Sequence, residues 1–160
     1  MNTRIHLSLA AATLMAMAQF PVHAQGTPGA VDWTHRAVAV QSQGGEKLYR
    51  LHFDGRIQPG YIVYGSDFKA DLGPNPTRLR LDKDQAVELR DGLESIGTRE
   101  GKDKAFDTPY TYFEDEVHLT QLIAVSQGVT RVTGTLRGQT CYLTDGTCQL
   151  FTAKFEIPLP

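Results

Sequence analysis

The sequence predicts an all-β protein, a two-sheet sandwich in a single domain. Three observations point there: short segments with apolar residues at alternate positions, turn-forming pairs that punctuate them, and no convincing helical stripe. The expected strands are Ala37 to Ser42, Lys47 to Phe53, Tyr61 to Tyr64, Thr77 to Leu81, Tyr112 to Val125, Val129 to Arg137 and Ala153 to Leu159. Between them stand Gly44-Gly45, Asp54-Gly55, Pro59-Gly60, Gly73-Pro74, Asp91-Gly92 and Asp145-Gly146, residue pairs that bend a chain for known conformational reasons.

The segment Lys47 to Phe53 carries the alternation most clearly. Tyr49, Leu51 and Phe53 form one apolar face, and Leu48, Arg50 and His52 a mostly polar one, as in a sheet with one side in water. Several such strands, with turns between them, favour two packed sheets. Lys83 to Leu93 is the one helix candidate. Val87 and Leu89 make a poor stripe there, so helix is the weaker reading of that segment.

The N-terminus reads as an export signal over residues 1–24. Arg4 supplies the positive start, Leu7 to Ala18 the apolar run, and Val22-His23-Ala24 the small residues of a cleavage site. A run of about 12 residues is too short to cross a hydrocarbon core, which needs roughly 20. The expected product is a secreted protein with a mobile lead-in over residues 25–32 and a domain over residues 33–160. Losing Arg4 moves the formal charge from -2 to -3, too mild a balance to imply nucleic acid. Export also places the only two cysteines, Cys141 and Cys148, where disulfides persist.

Those cysteines flank an Asp-Gly hairpin signal. A two-residue turn at Asp145-Gly146 would pair Leu143 with Cys148 and leave Cys141 out of register. A four-residue loop, Leu143 to Gly146, with Gly146 supplying a positive φ, sets Tyr142 against Thr147 and Cys141 directly against Cys148. The second register is preferred. Opposed Cα atoms about 4.5 to 5.5 Å apart suit a disulfide without backbone movement. Such a short loop removes only about 2.5 kcal/mol of unfolded-state entropy, so stapling is a weak reason for the bridge. Alternation turns Tyr142 to the face opposite the cysteines, toward a partner or solvent.

At these residues the chain resembles the N-terminal periplasmic domain of the thiol:disulfide interchange protein DsbD, the disulfide bond corrector family. The resemblance runs through Trp33, Pro59-Gly60-Tyr61-Ile62-Val63-Tyr64, Gly73-Pro74-Asn75-Pro76-Thr77, Phe106 with Tyr112-Phe113 and Val117, and Gly134 through Gln139-Thr140-Cys141 to Cys148. It ends in Phe155-Glu156-Ile157-Pro158-Leu159. It implies an immunoglobulin-like sandwich whose redox pair, Cys141 and Cys148, lies on a hairpin beneath a cap loop carrying Phe106. Tyr61 and Tyr64 are candidate pocket residues. The implied partners are a membrane-embedded thiol reductase and periplasmic thioredoxin-like proteins, with no cofactor. The chain departs from the family in its longer loop between the cysteines, in Gln149-Leu150-Phe151 after Cys148, and in Lys104-Ala105 where the family cap is acidic.

A rival reading from another class is a non-catalytic immunoglobulin-like binding module with a structural hairpin disulfide. Other chemistry finds little support. His35, His52 and His118 show no ligand spacing, Ser66-Asp67 lacks a nucleophile setting, and no phosphate-cradling glycine loop appears. Exposure and local charge decide which sulfur is attacked, and both are properties of the fold.

Overall fold

The computed structural model describes residues 29–40, 46–69 and 71–160. The expected signal, the first half of the lead-in (residues 25–28) and the Gly44-Gly45 turn lie outside them. The described residues form ten strands and no helix: β1 (Val31–Val40), β2 (Lys47–Ile57), β3 (Tyr61–Tyr64), β4 (Arg78–Leu81), β5 (Val87–Ser95), β6 (Arg99–Lys102), β7 (Pro109–Glu114), β8 (Glu116–Val125), β9 (Arg131–Tyr142) and β10 (Cys148–Pro158). One sheet runs β1-β2-β8-β5. The other runs β10-β9-β3-β7-β6, with β4 also on β9, and all pairs are antiparallel. This is the immunoglobulin-like sandwich expected.

The core is the sum of the alternations. Leu51, Phe53, Val117, Leu119 and Ile123 from one sheet meet Val63, Phe113, Val132, Leu136 and Ile157 from the other, all at 2% exposure or less. Phe53 and Phe155 pack edge to face, centroids 4.9 Å apart. On β9 the inward positions opposite β10's aromatic residues are glycines: Gly134 pairs with Phe155 and Gly138 with Phe151. A Cβ at Gly138 would stand 2.7 Å from the Phe151 ring and 2.6 Å from Thr77 Oγ1. The rings occupy the space that side chains on β9 would otherwise fill.

Two expectations need correction, the weaker helix reading of residues 83–93 falls away, and one further strand was unforeseen. β1 begins at Val31, inside the expected lead-in, because Val31, Trp33, His35 and Ala37 alternate inward along the whole of β2. Tyr112 to Val125 is not one strand. Asp115, at φ 66°, breaks it into β7 and β8, which belong to different sheets. Residues 83–93 hold no helix; the segment contributes β5, with an irregularity between Arg90 and Glu94 where Asp91 takes φ 61°. Strand β6 had no expectation at all, its residues Arg-Glu-Gly-Lys offering no apolar alternation.

Candidate redox site

The β9–β10 hairpin closes in the four-residue register. Tyr142 N–H donates to the Thr147 carbonyl at 2.8 Å, Gly146 N–H to the Tyr142 carbonyl at 2.9 Å, and Gly146 takes φ 73°. The Asp145 carboxylate accepts from Thr147 N–H at 2.8 Å, and hydrogen bonding to Thr147 holds its carboxyl below the usual range. Because Tyr142 and Thr147 form a hydrogen-bonded pair, Cys141 and Cys148 form the neighbouring non-hydrogen-bonded pair, where opposed Cα atoms are closest. They are 4.0 Å apart, and the sulfurs are joined in a disulfide.

The bridge lies on the outer face of the six-stranded sheet, since Thr140, Leu136 and Val132, of opposite parity, turn into the core. A small second cluster forms on that outer face. Ile62, Tyr64 and Cys141 are buried together there, with Phe68, Tyr110 and Tyr112 against them. Tyr64 stands edge-on to Tyr110, centroids 5.1 Å apart, and to Phe68 at 6.3 Å.

The two sulfurs therefore have different surroundings. Cys141 is buried, at 5% exposure. Its Sγ lies 3.4 Å from Tyr64 Oη and 3.8 Å from Gln139 Nε2, and a disulfide sulfur can only accept, so both groups donate to it. Burial, then the Tyr110 phenol and the Asp103 carboxylate, push the Tyr64 hydroxyl up to about 12, so it keeps its proton at any neutral pH. Gln139 is held in turn by Asn75, whose backbone N–H and side-chain Nδ2 both donate to Gln139 Oε1, at 2.9 and 2.8 Å. That fixes the amide so that its NH₂ group faces Cys141. Cys148, by contrast, is exposed, its Sγ 3.4 Å from the Gly146 carbonyl.

Of the residues singled out from the sequence, the fold brings Cys141, Cys148 and Tyr64 together. Tyr61 goes elsewhere. Three positions from Tyr64, it falls on the other face of β3, where its ring packs on Tyr142 at 4.9 Å and on the main core. Tyr142 does face away from the cysteines, but it rests on Tyr61 rather than projecting to solvent. Phe106 stands at the tip of the β6–β7 loop, 51% exposed, near Gly73. That loop is shaped by the Asp103 carboxylate, which accepts from the N–H groups of Ala105 and Phe106, both at 2.9 Å. Gln139, Asn75, Ile62, Phe68 and Tyr110 had no functional expectation. Gln139 was within reach of one, because residue i-2 on a strand shares a face with Cys141.

No family model matches the chain, and no curated protein matches it by sequence. Among solved structures it is similar to the DsbD N-terminal domain of Neisseria meningitidis in the reduced form, at 17% identity over 68% of this chain and 75% of that one, TM-score 0.47. It is also similar to the N-terminal periplasmic domain of ScsB from Proteus mirabilis, at 14% identity over 79% of this chain and 44% of that one, TM-score 0.48.

Proposed function

We propose that this chain is a periplasmic thiol-disulfide exchange domain of the DsbD N-terminal kind, carrying electrons through Cys141 and Cys148. The observation that carries the reading is the asymmetry of the bridge: one sulfur open to solvent, the other buried beneath two donors. A staple needs no such difference, whereas exchange needs an accessible sulfur to attack and a stabilised sulfur to leave.

The chemistry follows from that asymmetry. A partner thiolate attacks Cys148 Sγ, the Cys141–Cys148 bond breaks, and its electron pair goes to Cys141 Sγ. The new thiolate accepts from Tyr64 Oη–H and Gln139 Nε2–H until it takes up a proton. The partner's second thiolate then attacks its own sulfur in the mixed disulfide and releases Cys148. One partner dithiol becomes a disulfide and this protein's disulfide becomes a dithiol, with two electrons and two protons transferred. The reverse sequence hands them on. In this reading the donor is a membrane-embedded thiol reductase, the acceptors are thioredoxin-like proteins, and the loop bearing Phe106 is the cap over the site.

Equilibration with defined thiol buffers tests it. A carrier is expected at roughly -120 to -270 mV and a structural bridge below about -300 mV. Cys141→Ala, which leaves the exposed sulfur, is expected to trap a thioredoxin-like protein from periplasmic extract, and Cys148→Ala is not. A potential below about -300 mV with no trapped partner from either variant would make the bridge a staple.

A further inference from the structure

The sulfur open to attack lies on an edge strand. β10 pairs only with β9, and in the described residues no strand forms a ladder along its other side. The register fixes which of its backbone groups face outward. Cys148 is in a non-hydrogen-bonded pair, so its N–H and C=O point away from β9, and so do those of every second residue after it: Leu150, Thr152, Lys154 and Glu156. The far end of the hairpin agrees, since Leu159, of the opposite parity, donates its N–H to the Thr130 carbonyl at 2.8 Å.

This edge is guarded along one half only. Open edges invite strand addition, and proteins blunt them with charge and proline. The C-terminal half of β10 has Lys154, Glu156 and Pro158, all at outward positions. The N-terminal half has neither charge nor proline from Cys148 to Ala153, and Cys148, Gln149 and Leu150 are all exposed, Leu150 at 73%. The other edge strands are charged: β6 reads Arg-Glu-Gly-Lys, β5 carries Glu88, Arg90, Asp91 and Glu94, and β1 has Asp32 and Arg36. The unguarded backbone coincides with the attackable sulfur.

We infer that a partner docks by strand addition to the N-terminal half of β10: an uncharged, extended segment of a dithiol protein bonds to the outward N–H and C=O groups of Cys148 and Leu150. This sets the partner's thiol-bearing residue beside Cys148 Sγ, with Leu150 giving an apolar contact next to it. The inference rests on the exchange reading and supplies its recognition step.

Leu150→Pro tests it. Proline at 150 removes an outward N–H and no bond to β9, and Pro158 already occupies a position of the same parity on this strand. Reduction is measured with thioredoxin, which must dock, and with glutathione, which need not. The expected result is a loss of about fivefold to tenfold with thioredoxin, the ratio one hydrogen bond carries, and less than about twofold with glutathione. Leu150→Ala, which keeps the N–H, is expected to lose less. A fast wild type with Leu150→Pro equally fast overturns the docking alone. A wild type that thioredoxin reduces no faster than glutathione overturns the exchange reading itself. Should Leu150→Pro fold poorly, amide exchange decides: in the mixed disulfide of Cys141→Ala with thioredoxin, the N–H groups of Cys148 and Leu150 are expected to become protected. Unchanged exchange there overturns the docking.

Discussion

Removing the Tyr64 hydroxyl isolates the contribution of one donor to the leaving sulfur. Tyr64→Phe deletes the Oη that lies 3.4 Å from Cys141 Sγ and keeps the ring that packs against Tyr110 and Phe68. A hydrogen bond to a charged group is worth about 1.5 to 3 kcal/mol. The length of this contact and the softness of sulfur put it at the low end, and about 1.4 kcal/mol is one pKa unit. The Cys141 thiol of the reduced protein is therefore expected to rise by about one unit. Gln139, at 3.8 Å and tied to Asn75, is too constrained to replace the lost donor. Because a neutral hydrogen bond nets only about 1 kcal/mol, the unfolding midpoint is expected to move little. The assay is thiolate absorbance against pH in a Cys148→Ser background, so that a single thiol titrates, together with the rate at which glutathione reduces the bridge in the otherwise wild-type chain. Superimposable titration curves with and without the hydroxyl would refute the claim that Tyr64 stabilises the leaving thiolate.

Three further outcomes are expected. Phe106→Ala is expected to speed reduction by a small thiol and to leave the denaturation midpoint nearly unchanged, because the ring is half exposed; an unchanged rate with a loss of about 3 kcal/mol would make it a packing residue. Gly138→Ala is expected to cost about 1 to 3 kcal/mol in urea unfolding, since the new methyl meets the Phe151 ring and buried Thr77, and an unchanged midpoint would contradict the close approach. His118 is raised above 6.5 by its hydrogen bond to Asp54, against the opposing effect of burial, so its contribution to stability is complete below that value and is lost as pH rises through the folded-state pKa. His52 is lowered, chiefly by burial and then by Arg36, and acts in the opposite sense. Comparing wild type with His118→Gln cancels His52: between about pH 5.5 and pH 8 the wild type should lose more stability than the variant, and parallel curves would refute the assignment.

The parts of the fold that were legible in the sequence are those where one face decides. In β2 the alternation of Tyr49, Leu51 and Phe53 with polar neighbours leaves a single inward assignment. The cystine register was legible because only a four-residue loop puts Cys141 opposite Cys148. Strands β5 and β6 were hidden for the opposite reason: the apolar face of β5, with Val87, Leu89 and Leu93, is interrupted at Asp91-Gly92, and β6 has no apolar residue, so both owe their conformation to the ladders of β8 and β7 beside them. The same divide runs through the site. Tyr64 and Tyr61 were both candidates, and strand parity alone could have separated them, since residues three apart cannot share a face. Phe68 and Tyr110 were out of reach, because only the assembled sheet brings them to Cys141. Asn75 is likewise set on Gln139 by tertiary structure, though Gln139 itself follows from alternation.

The bridge spans a turn, and that bears on the energetics of the proposed exchange. Its loop is local, so losing the bond returns only about 2.5 kcal/mol of entropy to the unfolded chain. In a thermodynamic cycle, whatever stability the fold loses on reduction must appear as a lowering of the potential, and for two electrons about 1.4 kcal/mol corresponds to 30 mV. Loop closure thus lowers the potential of the cysteine pair by about 50 mV, a small fraction of the span between oxidising and reducing thiol proteins. A bond of the same chemistry joining β1 to β8 would close a far longer loop and couple each electron transfer more tightly to the integrity of the domain. Placed at the hairpin tip, the pair can change oxidation state while the core beneath it stays assembled.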